Sequence, residues 1–374
     1  MKTSQKWQTL ALAAAVGASA AGTAWADPEF DLRGRVHLDA AIHDDDETPL
    51  EDGVVHRRGW LGVDGTLSPD WSFRVEYNLQ EGSNGAQDVY LKRALPVGSL
   101  TIGNAKVPMG MNTLASSNNI PLIERSAISN IVNDGWRAGL KYELSGYATN
   151  FQAMAFSRAL DDDRKAAGDD GNAQIGAATR FVTNPFRYGD EMIHLGVSTA
   201  YEDRGDYTEA RFGDRPESRP DGTRLIDTGD DISDLETTLK YGVELAYQNG
   251  PFSAEAEYLN VDLDRRNHSD PSYDGYHIQA SYVLTGEARS YNGSTFGGIT
   301  PASPHGAWEL TARFSHADLS DSDHGKQDTV TLGMNHYVTS NLRFMGNLIH
   351  ADVDDGINGD ESVNLAVFRA AYHF

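Results

Sequence analysis

Basic side chains recur at every second position within several apolar segments of the chain. In residues 71–79 the apolar side chains take the odd positions, and Arg74 lies among the polar even ones. A guanidinium group binds an oxyanion through two parallel hydrogen bonds, so arginines on one face of a strand could bind or pass small anions. The basic residues in this pattern are Arg33, Arg35, Arg58, Arg74, Lys92, Lys106, Arg137, Lys141, Arg180, Lys240, Arg313, Arg343 and Arg369.

Acidic side chains occupy the same alternating positions in smaller number. The whole chain has 55 acidic and 31 basic residues and a net charge of −24. The excess acid must therefore lie in the connecting segments, and it argues against nucleic acid as a partner. We expect a mildly basic interior within an acidic protein. The acidic residues of the alternating pattern are Asp31, Asp39, Asp64, Glu76, Glu143, Glu244, Glu255, Glu257 and Glu309.

Alternation with a period of two is typical of β-strands whose two faces meet different surroundings. Sixteen segments alternate in this way, and short turns on one side and long polar loops on the other separate them. The pattern predicts an all-β fold, a 16-stranded antiparallel transmembrane β-barrel with both termini on the periplasmic side. The segments are 30–43, 56–67, 71–80, 87–95, 99–107, 136–145, 147–157, 174–183, 192–202, 237–248, 251–263, 274–285, 306–319, 328–338, 342–353 and 362–374.

The same alternation assigns the two faces of the barrel. A charged side chain facing lipid would cost about 2–4 kcal/mol at the bilayer midplane, so the apolar positions should face lipid and the charged ones a water-filled channel. In residues 136–145 this places Trp136 and Leu140 outside and Lys141 inside. A basic lining favours anions. We expect a channel for passive uptake of phosphate or related small anions; the alternative is a general diffusion channel with weak selectivity.

A long connector with few charges, residues 108–135, separates the fifth and sixth segments. We expect it to fold inward and narrow the channel, with Arg125 on the loop and Lys106 and Arg137 at its two ends. Arg369 lies near the end of the chain and should sit at the periplasmic mouth. Arg125→Ala and Arg137→Ala should therefore each weaken the block of the chloride current by phosphate more than Arg369→Ala does.

A second long connector, residues 286–305, stands where the pattern requires a short periplasmic turn. Its prolines and its pair of glycines allow two interpretations. The segment either enters the lumen or is a disordered turn.

The first 26 residues have the organisation of a secretory signal peptide. Lys2 and Lys6 precede a short apolar run, and small residues stand at the A-W-A sequence that ends at residue 26. We expect cleavage before Asp27, which leaves a single barrel domain over residues 27–374. The chain has no cysteine, which excludes a disulfide framework in an exported protein. These features favour the outer membrane of a Gram-negative bacterium.

Catalysis and metal binding find little support in the sequence. A barrel hydrolase, the remote alternative, would need a nucleophile beside a base, and none of the histidines lies in a pattern that specifies a partner serine. The acidic stretch that begins at Asp352 fails the calcium-loop pattern, because its sixth and twelfth places are Ile357 and Val363 instead of Gly and Glu. We expect no enzyme activity, no metal and no cofactor.

Nine short stretches resemble the phosphate-selective porin O and P family and follow one another in that family's order. Together they run through most of the mature chain. They are HRRGWLGV at 56–63, DVYL at 88–91, LIER at 122–125, RPE at 215–217, LIDTG at 225–229, GPFS at 250–253, SYVLTGE at 281–287, AWEL at 307–310 and LGMN at 332–335.

The resemblance implies a homotrimer of sixteen-stranded porin barrels in the outer membrane, with lipid and lipopolysaccharide around it and phosphate, pyrophosphate or polyphosphate as the anions. The residues that match the family's anion site are Arg57, Arg58, Asp88, Lys106 and Arg125. The family's phosphate-selective members have a denser ladder of basic residues. The nine inward acids of this chain therefore count against strict phosphate selectivity.

Overall fold

The computed structural model describes residues 28–80, 85–162 and 172–374. The predicted signal peptide lies outside the described residues. Sixteen antiparallel strands form one closed barrel, and a separate two-stranded ribbon consists of β10 and β11. The strands are β1 (Glu29–Asp44), β2 (Gly53–Ser68), β3 (Trp71–Asn78), β4 (Ala86–Ala94), β5 (Ser99–Lys106), β6 (Trp136–Ser145), β7 (Thr149–Phe156), β8 (Ile175–Tyr188), β9 (Glu191–Asp203), β10 (Gly213–Asp214), β11 (Ile226–Asp227), β12 (Leu235–Asn249), β13 (Phe252–Arg265), β14 (Ser272–Val283), β15 (Ala307–Asp318), β16 (Lys326–Tyr337), β17 (Leu342–Gly356) and β18 (Gly359–His373).

The barrel closes between its first and last strands. Pairing of β1 with β18 runs from Arg35 opposite His373 to Asp44 opposite Asn364. The chain end extends this ladder, because the backbone N–H of Gly34 donates to Phe374 O at 2.9 Å and the N–H of Phe374 donates to Gly34 O at 3.1 Å. Closure leaves no open sheet edge, as a barrel in lipid requires. The prediction of sixteen strands is confirmed, and every predicted segment overlaps one barrel strand.

The two faces of the wall differ as the alternation predicts through most of each strand. On β12 the apolar Leu239, Val243 and Leu245 are exposed on the outer face, while the inward Lys240 and Glu244 are buried. Because exposed leucines and valines recur around the barrel, the outer face is an apolar belt suited to lipid. Within the described residues, no helix is long and apolar enough to cross a membrane.

Toward the long-loop end of the barrel the two faces are reversed. On β17 the inward Ala351 and Val353 are fully or almost fully buried, whereas Asp352 and Asp354 are exposed outside. The inward apolar side chains pack in one core with Ile128 and other residues of the inserted loops. The simple assignment of apolar residues to lipid fails here, since the outer face has passed the hydrocarbon layer while the inner face packs on protein.

Three connecting segments enter the barrel and contact its inner wall. Residues 107–135 contain two short helices, Met111–Leu114 and Ala127–Val132. Residues 204–234 carry the β10–β11 ribbon, which the alternation did not predict, and residues 284–306 return from the short-turn end. Each contributes buried side chains inside the barrel. Their contacts position the basic residues of the barrel interior.

Candidate functional site

A bulge in β2 turns two consecutive arginines toward the same point. His37 pairs with Arg58 and the next residue, Leu38, pairs with His56, so Arg57 is an extra residue without a cross-strand partner. Neighbouring residues of a regular strand point to opposite faces, and a bulge removes that constraint. Arg57 and Arg58 therefore both reach Glu124 on the inserted segment 107–135.

Glu124 accepts hydrogen bonds from three guanidinium groups, two on β2 and one on β18, and lies near a fourth guanidinium. Arg57 binds Glu124 through two hydrogen bonds: Nε donates to Oε1 at 2.8 Å and Nη2 donates to Oε2 at 3.0 Å. Arg369 Nη2 donates to Oε1 at 2.7 Å, and Arg58 Nη2 donates to Oε2 at 3.3 Å. Arg219 Nε lies 3.9 Å from Oε2. We call these five residues, Arg57, Arg58, Arg219, Arg369 and Glu124, the Glu124 cluster.

The Glu124 cluster is almost closed to solvent except at one corner. The side chain of Glu124 is 1% exposed and that of Arg369 is fully buried, whereas that of Arg57 is 24% exposed. Burial alone would raise the pKa of Glu124, but Arg57, Arg58 and Arg369 hold that pKa well below its usual range. Glu124 is therefore ionised at every physiological pH.

Arg125 lies beside this cluster without a carboxylate of its own among the described residues. Its Nε donates to Asn112 O at 2.8 Å and its Nη2 to Ala115 O at 2.7 Å. Burial and the neighbouring Arg57 lower the pKa of Arg125 to about 10, against the opposing effect of Glu124. Arg125 is half-buried and keeps its charge, so it adds an unpaired positive charge at mid-barrel.

Lys106 anchors the inserted segment to the end of β5. Its Nζ donates to Thr113 O at 2.6 Å and lies 3.4 Å from both Leu114 O and Ala115 O, so it contacts the carbonyls at the C-terminal end of the first short helix. The same ammonium lies 5.2 Å from the ring centroid of Trp136. A cation suits this position, because helix carbonyls at a C-terminus have no intrahelical partner.

Trp136 lies on the inner side of the barrel, contrary to the alternation. Its Nε1 donates to Asp88 Oδ1 at 2.8 Å, and its ring meets that of Trp60 edge-on at 5.6 Å. Trp60 in turn lies under the guanidinium of Arg35 at 4.1 Å. Trp136 is the first residue of β6, where the strand has not yet settled into regular alternation after the inserted segment.

The wall formed by β1 to β4 carries a ladder of alternating charges that is partly open to solvent. Arg33 Nη1 donates to Asp64 at 2.8 Å, and Arg74 Nε donates to the other oxygen of Asp64 at 2.7 Å. Arg74 Nη1 continues to Asp88 at 3.2 Å. The side chain of Arg74 is 29% exposed. With Arg35 and Glu76, which also pair, the ladder contains three cations and three carboxylates and is neutral.

Next to this ladder, β4 to β7 line an open cavity whose polar wall is basic. Lys92, Lys106 and Lys141 line it together with Glu143 and Asp88. Lys92 Nζ lies 3.6 Å from Glu143 and is the most exposed of these cations. The cavity extends to residues 292–295 of the segment 284–306. The open part of the lumen therefore lies along β1 to β7.

Arg137 is the remaining basic residue assigned to the constriction. Its guanidinium lies 3.7 Å from Asp134 and 3.9 Å from Glu202, and its side chain is 15% exposed. It belongs to the edge of the inserted segment and is not in contact with the Glu124 cluster.

The basic residues on the opposite wall face inward but are buried under the inserted segments. The side chain of Arg180, for example, has no exposed area and pairs with Glu244. Each of these residues donates to an inserted segment: Arg180 to Ser294 Oγ at 2.6 Å, Lys240 to Val132 O at 3.1 Å, Arg313 to Glu124 O at 3.1 Å and Arg343 to Ile120 O at 2.9 Å. They hold the loops and are not in contact with the open lumen.

Arg369 is also placed differently from the expectation. We expected it at the periplasmic mouth, yet it pairs with Asp39 through two hydrogen bonds of 2.6 Å and with Glu124. Asp39 lies in the middle of β1, so Arg369 is at mid-barrel. Counting residues from the chain end gave the wrong height because the strands are long and tilted.

The segment 204–234 contributes two residues to the candidate site that the sequence did not indicate. Glu217, which has a positive φ of 51°, accepts from Arg313 and Ser315 on β15 and from Ala127 N of the other inserted loop. Arg219 lies between Asp214 and Glu124, with Nη2 at 3.1 Å from Asp214 Oδ1. The RPE stretch at 215–217 was the available signal, but it did not reveal that its loop folds inward.

Asp214 joins the two inserted loops and should make the lumen charge depend on pH. Its Oδ2 accepts from Asn130 at 3.2 Å. Burial and nearby Glu217 raise the pKa of Asp214 to about 7, and Arg219 and Asn130 offset this only in part. Because this pKa exceeds the usual 3.8, the contribution of Asp214 to stability is complete at low pH and is lost as the pH rises through about 7.

We predict that lowering the pH from about 8 to about 6 increases the preference of the channel for anions, because protonation removes a negative charge beside Arg219. The reversal potential in a salt gradient at the two pH values measures this. Asp214→Asn should behave at both pH values as the wild type does at the lower one. An unchanged pH response in that variant would show that another group titrates.

The segment 284–306 enters the barrel, as one of the two interpretations expected. Arg289 forms an ion pair with Glu309 on β15 and donates to Asn119 O of the first inserted loop at 2.6 Å. Tyr291 Oη lies 2.7 Å from His194 Nδ1. These contacts tie the third segment both to the wall and to the loop 107–135.

One histidine has a serine and a carboxylate as neighbours. Ser126 Oγ lies 3.1 Å from His277 Nδ1, and His277 Nε2 lies 3.4 Å from Glu255 Oε1. All three side chains are buried, and Ser126 also caps the helix Ala127–Val132 by accepting from Ser129 N. A nucleophile needs room for a substrate, so this arrangement serves to fix the loop.

A closed antiparallel barrel with an apolar outer belt and a polar interior crossed by loops defines an outer-membrane porin. The chain belongs to the phosphate-selective porin O and P family, whose profile matches residues 30–374. Porin O of Pseudomonas aeruginosa is 27% identical over 395 aligned residues, which cover 92% of this chain and 88% of that protein.

Solved structures with the same fold are more distant in sequence. A loop-deletion mutant of OmpT, an outer membrane protein of Vibrio cholerae, superposes with a TM-score of 0.61 at 13% identity and covers 93% of this chain and 100% of its own. The anion-selective porin of Comamonas acidovorans gives a TM-score of 0.58 at 14% identity, with 93% and 100% coverage. At such identities the likeness concerns the fold alone.

Proposed function

We propose that this porin conducts small anions by passive diffusion and prefers phosphate. The path runs along the open wall of β1 to β7 and passes the inserted segment 107–135, which narrows it. Arg57 and Arg125 are the basic groups at the narrow section, and Lys106, Lys141 and Lys92 continue the path toward the periplasm.

The observation that carries this proposal is the charge at mid-barrel. The Glu124 cluster and Arg125 together contain five guanidinium groups, and the carboxylates paired with them are Glu124, Asp39 and Asp214. An excess of two positive charges remains. Since permeation follows the charge of the narrowest section, this excess favours anions even though the whole chain is acidic.

Guanidinium groups also favour phosphate over chloride. A planar fork donates two parallel hydrogen bonds to two oxygens, which a single halide ion cannot accept in the same way. The name of the family and the anion selectivity of the Comamonas acidovorans porin agree with an anion path. Pyrophosphate and polyphosphate present the same phosphoryl oxygens and belong to the proposed range of anions.

A general, weakly selective porin is the second candidate. The neutral charge ladder of Arg33, Asp64, Arg74 and Asp88 favours it, because half of the open wall attracts neither sign of ion. The reversal potential of single channels in a potassium chloride gradient separates the two candidates. Anion preference supports the proposed channel, and cation preference or no preference would refute it.

The remaining features concern export and assembly. We propose that residues 1–26 are removed on export, that the mature chain forms a homotrimer, and that lipid and lipopolysaccharide surround it. One solved OmpT structure of Vibrio cholerae, with a TM-score of 0.58, is described as a trimer form. We propose no catalytic activity, because Ser126 and His277 are buried. Esterase activity of the purified protein would contradict this.

A further inference from the structure

The carboxylate of Glu124 occupies the point where the guanidinium groups of Arg57, Arg58 and Arg369 converge. Its two oxygens accept five hydrogen bonds of 2.7–3.4 Å from these three groups. Arg219 adds a fourth positive charge at 3.9 Å. A phosphate ion needs the same donors, arranged around delocalised negative oxygens. The centre of the cluster therefore has the chemistry of an oxyanion site that already holds an oxyanion.

The side chain of Glu124 is not needed to hold its own backbone in place. Glu124 O accepts from Arg313 Nη1 at 3.1 Å, and Ile123 O accepts from Arg369 Nη1. Asn112 Nδ2 and Lys106 Nζ fix the same loop elsewhere, through Glu255 at 2.9 Å and Thr113 O at 2.6 Å. The loop thus has several attachments that survive a change of the Glu124 carboxylate.

Arg57 is the member of the cluster through which an ion can exchange. Its side chain is 24% exposed, whereas those of Arg58 and Arg369 are 5% and 0% exposed; Arg219 is 18% exposed but lies beyond hydrogen-bond distance of Glu124, at 3.9 Å. Arg57 also contacts both oxygens of Glu124 at 2.8 and 3.0 Å, closer than Arg58 does at 3.4 and 3.3 Å. An anion arriving from the open lumen must therefore compete with Glu124 for Arg57.

We propose that Glu124 is a built-in competitor that occupies the guanidinium site and weakens the binding of phosphate, so that the ion leaves as readily as it arrives. This inference rests on the proposed function and assigns Glu124 as a residue that sets the affinity. Conduction requires that the channel bind the ion favourably but weakly. The carboxylate of Glu124 weakens phosphate binding because it competes for the same guanidinium groups. Glu124 remains ionised because the surrounding arginines depress its pKa.

The test is Glu124→Gln, which keeps the shape of the side chain and removes its charge. The phosphate concentration that half-blocks the chloride current should fall by about tenfold, the ratio expected when one charge-assisted competitor is lost. Phosphate should also raise the unfolding temperature of this variant more than that of the wild type, at equal ionic strength. Glu309→Gln is the matched control: it is equally buried but pairs with a single arginine, Arg289, and it should show neither change.

The outcomes separate this inference from the proposed function. If phosphate blocks the wild type, but Glu124→Gln is blocked at the same or a higher concentration and gains no stability from phosphate, Glu124 is only a structural tie and the inference fails. If phosphate does not block the wild type, the proposed function fails. If Glu124→Gln refolds poorly in chloride, recovery of the folded barrel in phosphate supports the inference and equal loss in both buffers overturns it.

Discussion

The double variant Arg57→Ala/Arg125→Ala should lose the preference for anions. The wild type has five guanidinium groups against three carboxylates at mid-barrel, and removing two leaves three of each. Arg57 and Arg125 are half-buried, whereas Arg58 and Arg369 are closed to solvent, so we expect a passing ion to meet the charge of Arg57 and Arg125. The reversal potential in a salt gradient should move to that of a nonselective pore.

The matched control for this variant is Arg93→Ala. Arg93 is exposed near the short-turn end of β4 and stacks on Trp71 at 5.4 Å, away from the Glu124 cluster. The substitution removes one arginine without changing the charge at mid-barrel, so the ion selectivity of this variant should equal that of the wild type. A double variant that remained as anion-selective as the control would place the selectivity elsewhere in the lumen.

Glu255→Ala/Glu257→Ala should free the first short helix of the inserted segment 107–135 from β13 and raise the single-channel conductance severalfold. Gly110, with a positive φ of 72°, turns the chain so that the backbone N–H groups of Met111 and Asn112 both donate to Glu257. Each of these hydrogen bonds contributes about 0.5–1.5 kcal/mol. Without them, the loop has lost its attachment to β13 near the first helix.

Single-channel recording measures this change, and excess current noise would report a moving loop. Glu236→Ala is the control, because Glu236 forms only an exposed pair with Arg266. Unchanged conductance in the double variant would mean that Lys106 and Arg313 hold the loop without help from β13.

Residue alternation predicted the barrel because lipid and water impose opposite demands on successive side chains. It placed Arg74 and Lys141 correctly on the inner face for that reason. It failed where a different constraint acts: at Arg57, where a bulge interrupts the alternation, and at Trp136, where a strand begins. The exposed Asp352 and the buried Val353 mark a third case, beyond the hydrocarbon layer.

The candidate site was harder to predict than the fold because loops distant in sequence decide which wall stays open. Arg180 and Arg74 have the same pattern in the sequence, yet Arg180 bonds to Ser294, 114 residues away, and Arg74 remains open to the lumen. Alternation determines which face of the barrel a residue lies on. It contains no information on the position of the residue along the barrel axis or on whether an inserted loop buries it. For the same reason, the sequence did not predict the position of Arg369 along the barrel axis or the contacts of Glu217.

Stepwise addition of phosphate to a single channel conducting chloride tests the central claim most directly. If guanidinium groups at mid-barrel bind phosphate in the path of permeation, the chloride current should fall with phosphate concentration and reach a plateau. Phosphate-free controls at equal ionic strength should keep their full current. A chloride current that phosphate leaves unchanged would contradict a phosphate-binding anion path through this barrel.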